Sequence, residues 1–291
     1  MLDEIGLSMA EKFADLHIHT SASDGIYSAE EVLRRAKEAG LAAVGIADHD
    51  SVEGIRAALE VDEKYGVEVI PGIELSSEHG ETEIHILGYF LDWDDRQFRA
   101  LLDTIQKIRL WRAEVMVEKL QNLGIGISFE EVLSEAKGGS IGRPHVVRVM
   151  LRHGHVKTPD DAFERYLRYG CPAYVGKYEL GMEDAIKLIR KLRGVPVLAH
   201  PVFSNVDDRL PELIKIGLRG IEAYHSRQDQ PTSKRYAEFA QKYGLIVTGG
   251  SDSHGPEDPI GCVRVPYDAV QRLKSERKSI MLGGKTPFGG E

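Results

Sequence analysis

The sequence predicts an α/β protein, an irregular barrel of parallel strands with a helical insertion set into it. Short apolar strands alternate with amphipathic helices over residues 13–90 and again over 195–248, whereas residues 94–192 show only helical periodicity. Most strands also end in residues that can bind metal: His17 and His19, Asp48 with His49, Glu74, His200, Glu222 with His225, and Asp252 with His254. In an open doubly wound sheet only the strand ends beside the reversal of strand order meet at a ligand. A closed barrel can bring nearly all of them to one rim.

The first strand, Phe13–Ile18, leads into a His-x-His pair whose imidazoles share one side of an extended backbone. Asp24 follows in the turn Ser21-Ala22-Ser23-Asp24-Gly25, where the chain can bend back over the strand end. Ser28-Ala29-Glu30-Glu31 has the form of a capping box. The helix it opens carries Val32, Leu33, Ala36 and Ala39 on one face and stops at Gly40. Residues 41–47 are nearly continuously apolar, as expected of a strand buried on both faces, and end in Asp48-His49-Asp50. A helix over 53–65 stops at Gly66. The next strand, 67–70, runs through Pro71-Gly72 to Glu74, and another over 83–90 carries His85.

A long helix is expected over 95–123, then shorter ones over 129–136, 144–152 and 159–169. The stretch 183–192 reads equally as the end of the insertion or as a barrel helix. Strands over 195–199, 220–224 and 245–248 bring the count to seven. The expected domains are a discontinuous barrel, 1–93 and 193–291, and an insertion, 94–192, forming a substrate-binding cap.

At 291 residues, 42% apolar and 29% charged, the chain can build a full core. No apolar run is long enough to cross a bilayer and the N-terminus lacks a signal-peptide pattern, so no membrane association is expected. Cys171 and Cys262 are far apart, which disfavours a disulfide framework or a thiolate zinc finger and makes a cytoplasmic setting the expectation. A net charge of −9 argues against a protein that coats long duplex nucleic acid. Bound cations would still admit an acidic substrate. No obligate protein partner is evident.

A single histidine at a strand end is ordinarily a hydrogen-bonded surface group. Here seven of the eleven lie on strands or at their ends with carboxylates close by in the sequence, which points to a multinuclear metal centre. Imidazole and carboxylate without thiolate suit manganese, iron or zinc alike.

Seven motifs resemble those of the PHP (polymerase and histidinol phosphatase) family. They are Asp15-Leu16-His17-Ile18-His19-Thr20-Ser21-Ala22-Ser23-Asp24-Gly25, Ala47-Asp48-His49-Asp50, Gly72-Ile73-Glu74, His85-Ile86-Leu87-Gly88, Gly142-Arg143-Pro144-His145, Ala199-His200-Pro201 and Ser251-Asp252-Ser253-His254. They occur in the family's order from residue 15 to 254. The resemblance implies a metal-dependent phosphoesterase on a distorted (β/α)7 TIM-like barrel. The branch it indicates is that of stand-alone nucleotide phosphatases and short-RNA exonucleases, which share the Ser-Asp-Gly turn and the helical insertion. The polymerase branch is not expected, since these residues show no polymerase domain, and Asp24 stands where the histidinol phosphatase branch usually has histidine.

The same resemblance implies two or three divalent ions, manganese ahead of zinc or iron. His17, His19, Glu74 and Asp252 would hold the first. Glu74, bridging, would hold the second with His85 and His200; Asp24, His49 and His254 would hold the third and serve the catalytic step. His79 is a rival to His85, less favoured because a strand residue holds a ligand more rigidly. Asp48 and Asp50 are expected to orient imidazoles.

The implied reaction is hydrolysis of a nucleotide phosphomonoester by a metal-bridging hydroxide, on nucleoside 3′,5′-bisphosphates, the 5′ end of short RNA, or both. Arg143 and His145, at a helix start suited to anions, and Lys177 are the candidate phosphate contacts. Arg148 and Arg152 read equally as a solvated helix face, and Tyr174 or Tyr178 as base-stacking or core residues. The rival readings are an amidohydrolase-like enzyme cleaving a C–N or lactone bond, a histidinol-phosphate-type phosphatase, and a non-catalytic metal or nucleotide sensor.

Overall fold

The computed structural model describes residues 11–80, 82–176 and 180–283. Its strands are β1 (Phe13–Ile18), β2 (Ala43–Ile46), β3 (Glu68–His79), β4 (Thr82–Tyr89), β5 (Val195–Leu198), β6 (Gly220–His225), β7 (Ile246–Gly250) and β8 (Val265–Pro266). They form one sheet in the order β7-β6-β5-β4-β3-β2-β1-β8. The sheet curls until its ends meet: Asp252 N donates to His17 O over 2.8 Å, and His19 N to Ser253 O over 3.1 Å. This is the distorted barrel that the strand pattern predicts.

Two of its features differ from that prediction. The two-residue strand β8 brings the count to eight, pairing with β1. In addition, β4 runs antiparallel to both β3 and β5. A buried apolar run encodes burial but not direction. The reversal matters for the site, because the early part of β4 lies at the rim where the parallel strands finish. His85, near the start of β4, therefore meets His200, which follows the end of β5.

Close approach at the seam depends on Gly250, where a Cβ would lie 2.4 Å from His17 N. Asp15 stitches the same seam. Its buried carboxylate accepts from Ser251 N (2.9 Å) and Gly261 N (2.8 Å), tying β1 to the chain leaving β7. Asp15→Ala orphans both buried N–H groups, with an expected cost of about 2–4 kcal/mol. In differential scanning calorimetry the Tm should fall by roughly 5–10 °C. An unchanged Tm would show that Asp15 does not hold the barrel shut.

Helices pack on this sheet through the predicted stripes. In Ala29–Glu38, the Ser28 hydroxyl accepts from Glu31 N (3.2 Å), and Val32, Leu33 and Ala36 are buried. The Glu31 carboxylate does not complete a capping box; it pairs with Arg34 and Arg35. The expected helix over 53–65 breaks into Glu53–Leu59 and Asp62–Tyr65.

The long helix Arg96–Asn122 belongs to two cores. Phe98, Leu102 and Ile105 join the barrel core. Ala113, Met116, Val117 and Leu120 instead pack with Val132, Val146, Met150 and Leu167 in a separate apolar cluster. Between the two lie polar residues that bind the insertion to the barrel. Gln106 Nε2 donates to Asp50 O (2.8 Å) and Ser140 Oγ (3.0 Å). Arg109 donates to the Asp50 carboxylate (3.0 Å), Ser76 Oγ (2.8 Å) and Ile141 O (3.0 Å). The expected helix over 159–169 is shorter, an α turn Pro159–Ala162 continued by a π turn Phe163–Leu167.

Candidate metal centre

The rim of the barrel is organised around Glu74, which is fully buried on β3. Its Oε1 lies 2.9 Å from His85 Nδ1 and 3.0 Å from His200 Nε2. Its Oε2 lies 2.9 Å from His49 Nδ1, 3.3 Å from His19 Nε2 and 3.4 Å from His17 Nε2. Asp252 Oδ1 closes the second group, 3.0 Å from His19 Nε2 and 3.4 Å from His17 Nε2. A third group surrounds Asp24, with His254 Nε2 at 3.2 Å, His19 Nδ1 at 3.6 Å and His49 Nε2 at 3.9 Å. Glu74 thus presents one oxygen to each of two imidazole pairs, and His49 stands between Glu74 and Asp24.

Hydrogen bonds behind the rim fix which ring nitrogens carry lone pairs. His17 Nδ1 lies 3.0 Å from Glu222 Oε1, so that nitrogen keeps its proton and Nε2 is the one turned inward, offering a lone pair once its own proton is displaced. The other Glu222 oxygen accepts from His200 N (2.8 Å). His254 Nδ1 donates to Asp252 O (2.8 Å), leaving Nε2 free to face Asp24. His225, 3.3 Å from Asp252 Oδ2, orients the opposite side of that carboxylate. His200 and Asp252 hold positive φ angles of 22° and 52°, as does Asp50 at 48°. Non-glycine residues adopt this region at a cost that packing must offset, and such strain gathers at functional sites.

These residues fit divalent cations. His17 Nε2 and His19 Nε2 face each other at 3.2 Å, and His85 Nδ1 faces His200 Nε2 at 3.3 Å. Lone pairs that close repel unless a proton or a cation lies between them. Asp24 Oδ1, Glu74 Oε2, His49 Nδ1 and Asp252 Oδ1 are also buried without a hydrogen bond. Three groups have donor atoms within 4.8 Å of one another: His17, His19, Glu74 and Asp252; His49, Glu74 and His85; His19, Asp24, His49 and His254. Mixed nitrogen and oxygen donors without sulfur suit borderline to hard divalent ions.

Protonation follows from the same crowding. Burial alone would raise the Glu74 carboxyl, but His85, His49 and His17 hold it well below the usual range. His17 moves the other way. Burial would lower it, and Glu222, Glu74 and Asp252 together raise it well above its ordinary value. Imidazolium therefore persists above pH 6.5 in the metal-free cluster, and a cation must displace those protons. Manganese affinity should rise with pH and fall in acid. Calorimetric titration in two buffers of different ionisation enthalpy should show proton release at neutral pH; release of none would contradict these assignments.

The structure gathers His17, His19, Asp24, His49, Glu74, His85, His200, Asp252 and His254 at one rim. His79 is elsewhere, exposed and 3.1 Å from Arg209. Asp48 and Asp50 do not orient imidazoles as expected. Asp48 accepts from Thr20 N, Thr20 Oγ1 and Ser23 Oγ (2.6–2.8 Å), holding the turn that carries Asp24. Asp50 holds Arg109. Of the expected phosphate contacts, Arg143 lines the cavity beside the rim. His145 is buried behind that wall, its Nδ1 accepting from Gly142 N (3.0 Å), so it secures the helix start. Lys177 and Tyr178 lie outside the described residues. Tyr174 packs against Tyr169, with ring centroids 5.3 Å apart.

Sequence reasoning missed Glu222 as the partner of His17, although its place on β6 was visible. It also missed Arg109 and Arg112, which line the cavity from the long helix. Their spacing of three along that helix was the available signal.

A barrel whose rim carries three imidazole–carboxylate groups, two of them sharing one glutamate, defines a hydrolase of the multinuclear-metal class. The chain belongs to the PHP domain family, whose model matches residues 15–243. It is 30% identical over 253 residues to a 5′-3′ exoribonuclease of Haemophilus influenzae, covering 85% of this chain and 92% of that one. A 3′,5′-nucleoside bisphosphate phosphatase of Chromobacterium violaceum is 31% identical over 248 residues, 83% of this chain and 87% of the relative. Among solved structures, a protein assigned as a metal-dependent phosphoesterase of Bifidobacterium adolescentis superimposes with a TM-score of 0.85 at 27% identity, over 93% of this chain and 98% of that one.

Proposed function

We propose that this metal-dependent phosphoesterase acts on nucleotides, removing the 3′-phosphate of nucleoside 3′,5′-bisphosphates and degrading short RNA from its 5′ end. One observation carries the reading. A single cavity of about 310 Å³ is lined both by rim residues (Asp24, His49, His85, Asp252 and His254) and by guanidiniums of the insertion. Metal-type donors and fixed cations in one cleft suit a ligand with two phosphates, and the volume suits a small ligand. The relatives named for a bisphosphate phosphatase and an exoribonuclease support the same substrate class.

Two or three divalent ions, manganese before zinc or iron, would be held by the groups described above. When bound they supply Lewis acidity, activating water and neutralising charge on the phosphoryl group. The chain's own residues set the geometry. Glu74 holds the two imidazole pairs in register, and Glu222 fixes His17 in the tautomer that faces inward. Asp24, His49 and His254, which line the cavity, are assigned to the leaving oxygen. Arg143 is assigned to the substrate, with residues 94–192 as a cap on the barrel, 1–93 and 193–291, anchored in the barrel core at its two ends by Phe98, Leu102 and Ile105 and by Met182, Ile186 and Ile189. A cytoplasmic setting belongs to the same proposal, supported by the unpaired thiols of Cys171 and Cys262.

The test is one panel: manganese-loaded protein with nucleoside 3′,5′-bisphosphates, 5′-phosphorylated short RNAs and histidinol phosphate. Phosphate or mononucleotide release from the first two is expected. Hydrolysis of histidinol phosphate alone would overturn the nucleotide reading, and amine release from amide substrates without phosphate-ester turnover would support the C–N reading instead.

A further inference from the structure

Four arginines line the cavity, Arg109, Arg112, Arg143 and Arg227, and three already have fixed partners. Arg109 donates from Nε, Nη1 and Nη2 to Asp50, Ile141 O and Ser76. Arg143 pairs with Glu83 and lies over the Phe163 ring, 5.4 Å from its centroid. Arg227 reaches out to Asp258 over 3.1 Å. Arg112 is different. It is 7% exposed, and its Nε (3.3 Å) and Nη2 (3.0 Å) both point at one oxygen, Val175 O. Among the described residues no carboxylate lies within ion-pair distance of it.

A buried guanidinium without a counter-ion is costly. Burial and the nearby charges of Arg109 and Arg143 lower its pKa to about 10. Among the described residues, two of the three guanidiniums on the insertion side of the cavity meet a carboxylate, Arg109 with Asp50 and Arg143 with Glu83, and Arg112 meets none. The planar fork of arginine matches a phosphate oxyanion, and Val175 O fixes its rotation in advance.

We infer that Arg112 is the specificity-determining residue for the second, non-reacting phosphate of the substrate, which completes its charge in the bound state. The inference rests on the nucleotide phosphoesterase reading and deepens it. Such a phosphate can be the terminal 5′-phosphate of a mononucleotide or an internal phosphodiester of a short RNA. A substrate lacking it leaves Arg112 unpaired and forgoes that contact.

The experiment compares wild type, Arg112→Gln and Arg112→Lys on a nucleoside 3′,5′-bisphosphate, the matching 3′-monophosphate, and a dinucleotide with a 3′-phosphate but no 5′-phosphate. Arg112→Gln should lower the kcat/KM ratio of bisphosphate to monophosphate about 100-fold, mainly through KM, with partial recovery in Arg112→Lys. Calorimetric binding of a nucleoside 5′-monophosphate should weaken by a similar factor. A parallel loss of rate on the dinucleotide would place its diester on Arg112; no loss would restrict the residue to terminal phosphates. If both mononucleotides fall equally, or the ratio stays put, Arg112 does not read the second phosphate. If wild type hydrolyses bisphosphate and monophosphate with equal efficiency, this inference fails while phosphoesterase action stands. If manganese-loaded wild type hydrolyses neither, the nucleotide reading itself fails.

Discussion

Glu74→Gln should lower kcat by a thousandfold or more while leaving the barrel folded. The carboxylate stands between two imidazole pairs and meets His49 as well, so one side chain lies against five histidines of the rim. Replacing one oxygen by an amide NH₂ puts a donor where two nitrogens offer lone pairs and removes half of the bridging function. Charge neutralisation by such a centre is worth several kcal/mol, and about 1.4 kcal/mol is tenfold in rate. Metal content by mass spectrometry should fall by at least one ion per chain. The isosteric amide keeps the volume of the buried side chain, so circular dichroism should stay that of the folded barrel, while the Tm should fall because the surrounding imidazoles lose their counter-charge. Near wild-type turnover would remove Glu74 from the centre.

Asp252→Asn and His200→Ala should each cost 100-fold or more in turnover with the fold intact. Asp252 follows β7 in a left-handed conformation, φ 52°, which asparagine tolerates far better than alanine does. The amide variant therefore isolates the loss of charge from a backbone penalty. Its Oδ1 contacts His17 and His19 while His225 holds Oδ2, so loss of the charge leaves Glu74 as the carboxylate those two imidazoles share. His200 meets Glu74 from the opposite side of the rim, and its N–H is held by Glu222. Circular dichroism would check folding and single-turnover rates would check chemistry. Unimpaired rates in either variant would exclude that residue.

Much of this was legible in the sequence, for a physical reason. Strands buried on both faces read as apolar runs, so the polar residues closing 13–18, 41–47 and 245–248 stood out against them. What was not legible depends on relations between distant segments. The direction of β4 leaves no mark on its own residues, and a two-residue strand such as Val265–Pro266 is too short to show a period. Asp48 and Asp50 flank His49 in sequence, yet they serve a backbone turn and an arginine 59 residues away, because the chain has left β2 and turns through a left-handed residue at Asp50, φ 48°. His145 sat in a motif suggestive of anion binding and turned out to close the first turn of its own helix. Arg109 and Arg112 take their role from the passage of their helix between two cores, which their own sequence neighbourhood does not encode.

Anomalous diffraction from crystals grown with manganese tests the gathered rim most directly. Two or three peaks are expected, with Glu74 shared between two of them and with His17, His85, His200, Asp252 and His254 each within coordination distance of one. Peaks remote from Glu74, or full-strength turnover in protein whose rim carries none, would contradict the metal centre described here.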